Sequence, residues 1–266
     1  MMILFENWKK YLTELEGFDF STFELKDELE PSIWQGDVLN PEIREKLNEI
    51  SLDFWEKTGL KHVNIVDIIV TGSIANYNWT QYSDIDLHII VDLRDVDENT
   101  ELAAQFFRYM SANWNSLHRI MIKGHEVEVY VQDVNEVHAS TGMYSVTNNY
   151  WTVKPSKTKA QFDEEAISRK AEVMMGKIDS VEESYDVGRY QEAYDGAIGT
   201  REKIRSMRKC GLESAGEFSV ENLVFKVLRR NGYLGKLSEL KTKAYDHMMS
   251  LNGGCHQESG IRIKIG

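Results

Sequence analysis

Apolar strands in the first half of the chain and sustained helical periodicity in the second predict an α/β protein, a mixed β-sheet core followed by an α-helical domain. Residues 63–70 are apolar on both faces, as a buried central strand should be. From Ser83 to Val91 the pattern separates by face, with Asp84, Asp86 and His88 on one side and Ile85, Leu87 and Ile89 on the other. Beyond residue 162 the apolar spacing is helical in four segments, roughly 162–181, 189–209, 219–230 and 237–251.

In chain order, Leu4, Trp8, Leu12 and Leu15 make the apolar stripe of an amphipathic first helix. Asn40-Pro41 opens a second, with Asn as cap and Pro in the first turn, and Ile43, Leu47, Ile50 and Phe54 recur behind them. A third helix over residues 99–117 presents Leu102, Phe106, Met110 and Trp114, read as core and not as a base-stacking platform. Arg119–Ile122, the Lys123-Gly124 turn and His125–Val131 read as a β-hairpin. On its second strand Val127, Val129 and Val131 share one face, and Glu126, Glu128 and Tyr130 the other. Residues 139–156 read as an irregular passage ending at Pro155, which divides a catalytic domain, 1–155, from a helical domain, 156–266, closing the other side of a cleft. In the helical part Ser219 is a cap, and Gly211, Gly232 and Gly253-Gly254 are read as helix stops. Residues 261–265 form an edge strand or a tail.

A chain of 266 residues, 42% of them apolar and only three of them proline, can bury a sizeable core. Its net charge of −12 argues against non-specific nucleic-acid binding by the whole surface, while an RNA gripped by a local patch stays open. Two basic runs could serve: Arg201, Lys203, Arg205, Arg208 and Lys209, then Lys226, Arg229, Arg230 and Lys236. A solvated helix face explains them equally well. Cys210 and Cys255 are too few and too scattered for a disulfide framework or a zinc site, so a reducing compartment is expected. The first ten residues lack the apolar run of a signal peptide and no stretch is long enough to span a membrane, so a cytoplasmic protein is expected.

The chemistry concentrates between Ile68 and Val91. Asp84 and Asp86 project from the same face of a strand, and two carboxylates side by side are tolerable when a divalent cation lies between them. Eleven positions upstream of Asp84, Ser73 ends a Gly72-Ser73 pair that leaves the preceding strand where a helix could begin. Such a turn offers backbone N–H groups, a hydroxyl and a helix dipole to a phosphate. A cation-binding pair facing a phosphate-binding turn is the equipment of phosphoryl or nucleotidyl transfer.

Thr71-Gly72-Ser73-Ile74-Ala75 followed by Ser83-Asp84-Ile85-Asp86-Leu87 resembles the polymerase-β-like nucleotidyltransferase superfamily. The Asn76-Tyr77-Asn78 connection is similar to that of nucleotidyltransferases of large tailed phages. The resemblance implies metal-ligating Asp84 and Asp86, contact of Gly72 and Ser73 with the nucleotide phosphates, and a third carboxylate on a later strand. Glu128 is the candidate for that carboxylate, central in its strand between valines, with Glu126 on the same face as the reserve. It further implies Mg²⁺ or Mn²⁺ as cofactor and an NTP, ATP first, as donor. The acceptor hydroxyl stays open among RNA or tRNA ends, proteins and small molecules. Two other readings remain: a glycosyltransferase using Asp-x-Asp, which needs neither the Gly-Ser pair nor a later acidic strand, and a catalytically silent relative that binds nucleotide or a partner.

Overall fold

The computed structural model describes residues 18–136, 140–157 and 162–251; the expected stripe at 4–15, the Gly253-Gly254 stop and the segment 261–265 lie outside them. The chain divides into two compact units, Asp19–Gln161 and the helices from Phe162 onward.

The first unit begins with a short hairpin, β1 (Trp34–Gln35) and β2 (Val38–Leu39), then α1 (Pro41–Thr58). Asn40 caps α1, its Oδ1 accepting from the Glu42 N–H at 3.1 Å, and Ile43, Leu47, Ile50 and Phe54 are all buried. Then come β3 (Asp67–Thr71), β4 (Ile85–Val91), α2 (Thr100–Leu117), β5 (Met121–Ile122), β6 (His125–Asp133), β7 (Met143–Ser145) and β8 (Tyr150–Val153). Six strands form one mixed sheet in the order β5-β6-β4-β3-β7-β8. β4 and β6 pair in parallel while the other pairs are antiparallel, because α2 carries the chain back across the sheet between them.

One sheet face is dry. Val70, Ile85, Leu87, Ile89, Val127 and Val129 pack with α1 and α2 in a single core. Aromatic pairs lock it: Trp55 stacks on Phe107 at 5.7 Å, and Phe54 meets Trp114 edge-on at 5.6 Å. Of the expected stripe on α2, Trp114 is buried and Met110 packs against the core, but the first turns are rotated by one residue. Ala103, Phe107, Ser111 and Trp114 face inward, whereas Leu102 and Phe106 are exposed.

Three further expectations are corrected. β3 starts at Asp67 and not at Val63, because Val63 is buried through a turn closed by its N–H on the Leu60 carbonyl and ladder pairing begins only at Asp67 with Ile90. The segment read as an irregular passage contains the β7–β8 hairpin, turned at Asn149 with φ +60° and anchored by buried Tyr144 against Trp34 and Trp151. Gly211 does not end a helix; it lies inside one, where a Cβ would come within 2.6 Å of the Glu221 Cβ, so its absence lets the next helix cross closely.

The second unit consists of α3 (Glu164–Asp186), α4 (Tyr190–Ala215), α5 (Val220–Arg230) and α6 (Tyr233–Met249). Asp163 caps α3 through the Ala166 N–H, and Ser219 caps α5 through the Asn222 N–H. No helix among the described residues is long and apolar enough to cross a membrane. Of the basic side chains, Lys236 forms an ion pair with Asp179 at 2.9 Å. Arg208 donates from Nε to Asn222 Oδ1 at 3.1 Å and lies 4.0 Å over the Phe225 ring. Lys226 is the most perturbed: burial lowers its pKa to about 8, Glu217 opposes the shift, and Arg230, Arg208 and Arg229 add to it.

Lys226 charges against its burial in the native state and freely in the unfolded one. The folded form loses its proton first between pH about 8 and 10.5, so wild-type stability gains as pH rises through that window. Lys226→Met should therefore be more stable than the wild type by about 1–3 kcal/mol near neutral pH, with the difference shrinking by pH about 9.5. Chemical denaturation of both proteins at the two pH values checks this, and a constant difference contradicts it.

Candidate active site

The face of the sheet opposite the dry core carries the chemistry. Along β4, Asp86 and His88 are partly exposed while Ile85, Leu87 and Ile89 are fully buried, and Asp84 precedes the strand on the Asp86 side. Along β6, Glu126, Glu128 and Tyr130 alternate with buried His125, Val127 and Val129. The ladder pairs Asp86 with Thr71 of β3 on one side and with Glu128 of β6 on the other. Thr71, Asp86 and Glu128 thus form a row across three strands spaced about 4.8 Å apart. Parallel pairing of β4 with β6 is what brings the two acidic groups side by side.

The Gly72-Ser73 turn leaves β3 directly beside Asp86. Gly72 has φ +78° and ψ −164°, a conformation essentially confined to glycine. A Cβ on Gly72 would stand 2.0 Å from Asp86 Oδ2, so the missing side chain is what lets the carboxylate lie against the turn. The helix expected after it is a single three-residue 3₁₀ turn, Ser73–Ala75. It closes when the Ala75 and Asn76 N–H groups reach the Gly72 and Ser73 carbonyls, and Asn76 then extends. The turn therefore offers amides and a hydroxyl without a helix dipole behind them.

Several contacts hold this turn. The Trp34 indole N–H donates to the Ile74 carbonyl at 2.9 Å, and Asn76 Nδ2 donates to Thr141 Oγ1 at 2.5 Å. Gly142 packs so closely that a Cβ there would lie 2.1 Å from the Ala75 carbonyl oxygen. The Ser73 hydroxyl is 2.7 Å from that of Ser83, whose oxygen also accepts from the Thr80 N–H at 2.9 Å. His125 Nδ1 lies 2.7 Å from the Ser83 carbonyl. Ser73 and His125 thereby hold the residue immediately before Asp84 from two sides.

The two candidate glutamates have different surroundings. Glu126 lies 3.7 Å from the Arg119 guanidinium, opposite Met121 and near the hairpin turn, where Lys123 and Gly124 both have positive φ. Glu128 stands next to Asp86 and accepts a hydrogen bond at Oε2 from the Tyr130 hydroxyl. Burial first, then the bond to Glu128 and the charges of Glu128, Asp86 and Asp84, push the Tyr130 phenol far above its ordinary value. It stays a proton donor. Its ring lies 5.2 Å from that of His88, and His88 Nδ1 is 3.0 Å from Gln132 Oε1.

The donor set, carboxylates on adjoining strands, is the chemistry that suits a hard divalent cation. In the present side-chain positions, no three His, Cys, Asp or Glu groups among the described residues converge tightly enough to enclose one. A separate surface cavity lined by Val38, Pro41, Arg44, Glu45 and Asn149 contains none of Asp84, Asp86, Glu126 and Glu128, and the Arg44 guanidinium there donates to the carbonyls of Val146 and Thr147.

Ser83, His125 and Tyr130 are supporting residues that pattern reading did not single out. Tyr130 was within reach, sharing the face of Glu128 by alternation alone. The contact of His125 with the Ser83 carbonyl joins residues 42 positions apart and leaves no local signal.

Residues 44–112 match the family model for a nucleotidyltransferase domain. The match spans most of α1, then β3, the Gly72-Ser73 turn, β4 and part of α2, and stops short of Glu128. No curated protein and no solved structure matches the chain. With the Gly-Ser turn set beside the aspartate pair as described, the match over residues 44–112 is consistent with a member of the polymerase-β-like superfamily.

Proposed function

We propose that the first unit moves a nucleoside monophosphate from an NTP, ATP first among candidates, to an acceptor hydroxyl with release of pyrophosphate. The observation that carries this reading is the row Thr71–Asp86–Glu128 with the Gly72 turn against Asp86. Asp84, Asp86 and Glu128 would hold Mg²⁺ or Mn²⁺. The chemistry that such a cation would supply is a lower pKa for the acceptor hydroxyl and neutralisation of charge on the triphosphate. The amides at Gly72 and Ser73 and the Ser73 hydroxyl hold the β and γ phosphates. The acceptor oxygen forms a bond to the α-phosphorus, the bond to the bridging oxygen breaks, pyrophosphate leaves, and the acceptor proton passes to solvent. Dry packing beneath Asp86 and Glu128 keeps the two strands from shifting as charge moves.

A glycosyltransferase would have no use for a glycine fitted against Asp86 or a carboxylate in register on β6. A silent relative would bind an NTP without turning it over. Incubation with labelled NTPs and Mg²⁺ or Mn²⁺, against RNA, protein, small hydroxyl compounds and no acceptor, tests the reading. It is upheld by a labelled product with stoichiometric pyrophosphate and overturned by nucleotide binding that yields neither.

Asp84→Asn and Asp86→Asn should each lower transfer by about 10²-fold or more while the melting temperature holds or rises, since one charge of a repelling set is gone. Full turnover in either variant contradicts the assignment.

Gly72→Ala should be more damaging than Ser73→Ala. Its Cβ displaces the Asp86 carboxylate and strains a positive-φ backbone, whereas Ser73→Ala loses a phosphate donor and the tie to Ser83. Steady-state kinetics with a thermal melt separates them; equal, small losses would reduce the pair to an ordinary turn.

Glu128→Gln should lower the rate by orders of magnitude, and Glu126→Gln should change stability by no more than about 0.5 kcal/mol with little kinetic effect. The opposite ranking would move the third carboxylate to Glu126.

A further inference from the structure

Glu128 differs from the two aspartates on β4 in having one more methylene and one more free torsion, so it loses more conformational freedom when it is fixed on a cation. Its neighbour two residues along supplies the restraint. The Tyr130 hydroxyl engages Oε2, which leaves the second oxygen of the carboxylate for other partners. Tyr130 is itself held: its ring lies against the His88 ring at 5.2 Å, and His88 Nδ1 is tied to Oε1 of buried Gln132 at 3.0 Å. Glu128, Tyr130 and Gln132 form one column on β6, and Asp86 and His88 form the column beside it on β4.

We infer that Tyr130 is a positioning residue whose hydroxyl fixes the Glu128 carboxylate so that its remaining oxygen serves the cation shared with Asp86. The inference rests on the proposed function, since it needs Glu128 to be a ligand. The hydroxyl carries this role and the ring carries packing, so Tyr130→Phe separates them. Partners that orient a metal ligand typically alter affinity or activity by about 10–100-fold.

The test is Mn²⁺ binding without nucleotide, read as the electron paramagnetic resonance signal of free Mn²⁺, together with kcat and KM for the NTP. The proteins are the wild type, Tyr130→Phe, Glu128→Gln and the double variant. Tyr130→Phe should bind Mn²⁺ about 10-fold more weakly and lose kcat while the KM for the NTP and the melting temperature stay put. In the Glu128→Gln background, removing the hydroxyl should add nothing. Wild-type Mn²⁺ affinity and kcat in Tyr130→Phe would overturn the inference and leave the proposed function standing. A full additional loss in the double variant would also overturn it, because the hydroxyl would then act independently of Glu128. A wild type that neither binds Mn²⁺ nor transfers would overturn the proposed function and the inference with it.

Discussion

The close fit of Asp86 between the Gly72 turn and Glu128 depends on one constraint, the register of three neighbouring strands. Side chains alternate with a period of two, so a one-residue slip of β4 against β6 would turn Asp86 into the dry face and bring Leu87 or Ile85 out to the solvent face. The dry face prevents that slip. Ile85, Leu87, Ile89, Val127 and Val129 are almost completely buried against α1 and α2, and exposing any of them would forfeit roughly 1.5–3 kcal/mol. The apolar side of the sheet therefore enforces the geometry of the polar side. The same logic explains the parallel pairing: α2 must lie on the dry face to bury Phe107 and Trp114, and in doing so it returns the chain for β6 to run beside β4.

Around that row, polar contacts restrict each functional element separately. Trp34, Thr141 and Gly142 fix the backbone of the turn. Ser73 and His125 converge on Ser83 and so set the approach to Asp84. Tyr130, backed by His88 and Gln132, restrains Glu128. Each brace is contributed by a different part of the chain, so the acidic groups are held without any one element supplying the whole site. Gly72 has the least latitude, because it satisfies two demands together: a backbone conformation closed to other residues and a carboxylate at the distance of a missing Cβ.

The parts legible in the sequence were those with local causes. The α1 cap, the helical stripe beneath it, the alternation of β4 and β6, and the Lys123-Gly124 turn are written in adjacent residues. Of the site, the Gly-Ser pair and Asp84-x-Asp86 could be read directly, and the choice of Glu128 came from its place within the strand. What failed had tertiary causes. Leu102 and Phe106 look as apolar as Ala103 and Phe107, and only the Trp55 and Phe54 partners decide which side of α2 turns inward. The β7–β8 hairpin is short and leans on Trp34, over a hundred positions earlier, though its Asn148-Asn149 turn between aromatic and β-branched runs was a usable signal. Gly211 has the conformational freedom of a helix stop, but its use in the fold is a close helix crossing. The 3₁₀ turn after Gly72 could not be told from a helix start, because both open with the same residues.

The proposed function requires that Asp86 and Glu128, brought together by the β4–β6 register, share a divalent cation beside a nucleotide held at Gly72-Ser73. Anomalous diffraction from crystals of the protein grown with Mn²⁺ and a non-hydrolysable NTP analogue tests it directly. An anomalous peak is expected within about 2.0–2.4 Å of carboxylate oxygens of both Asp86 and Glu128, with the triphosphate against the Gly72-Ser73 turn. Manganese bound away from this pair, or a nucleotide lying elsewhere on the protein, would contradict it.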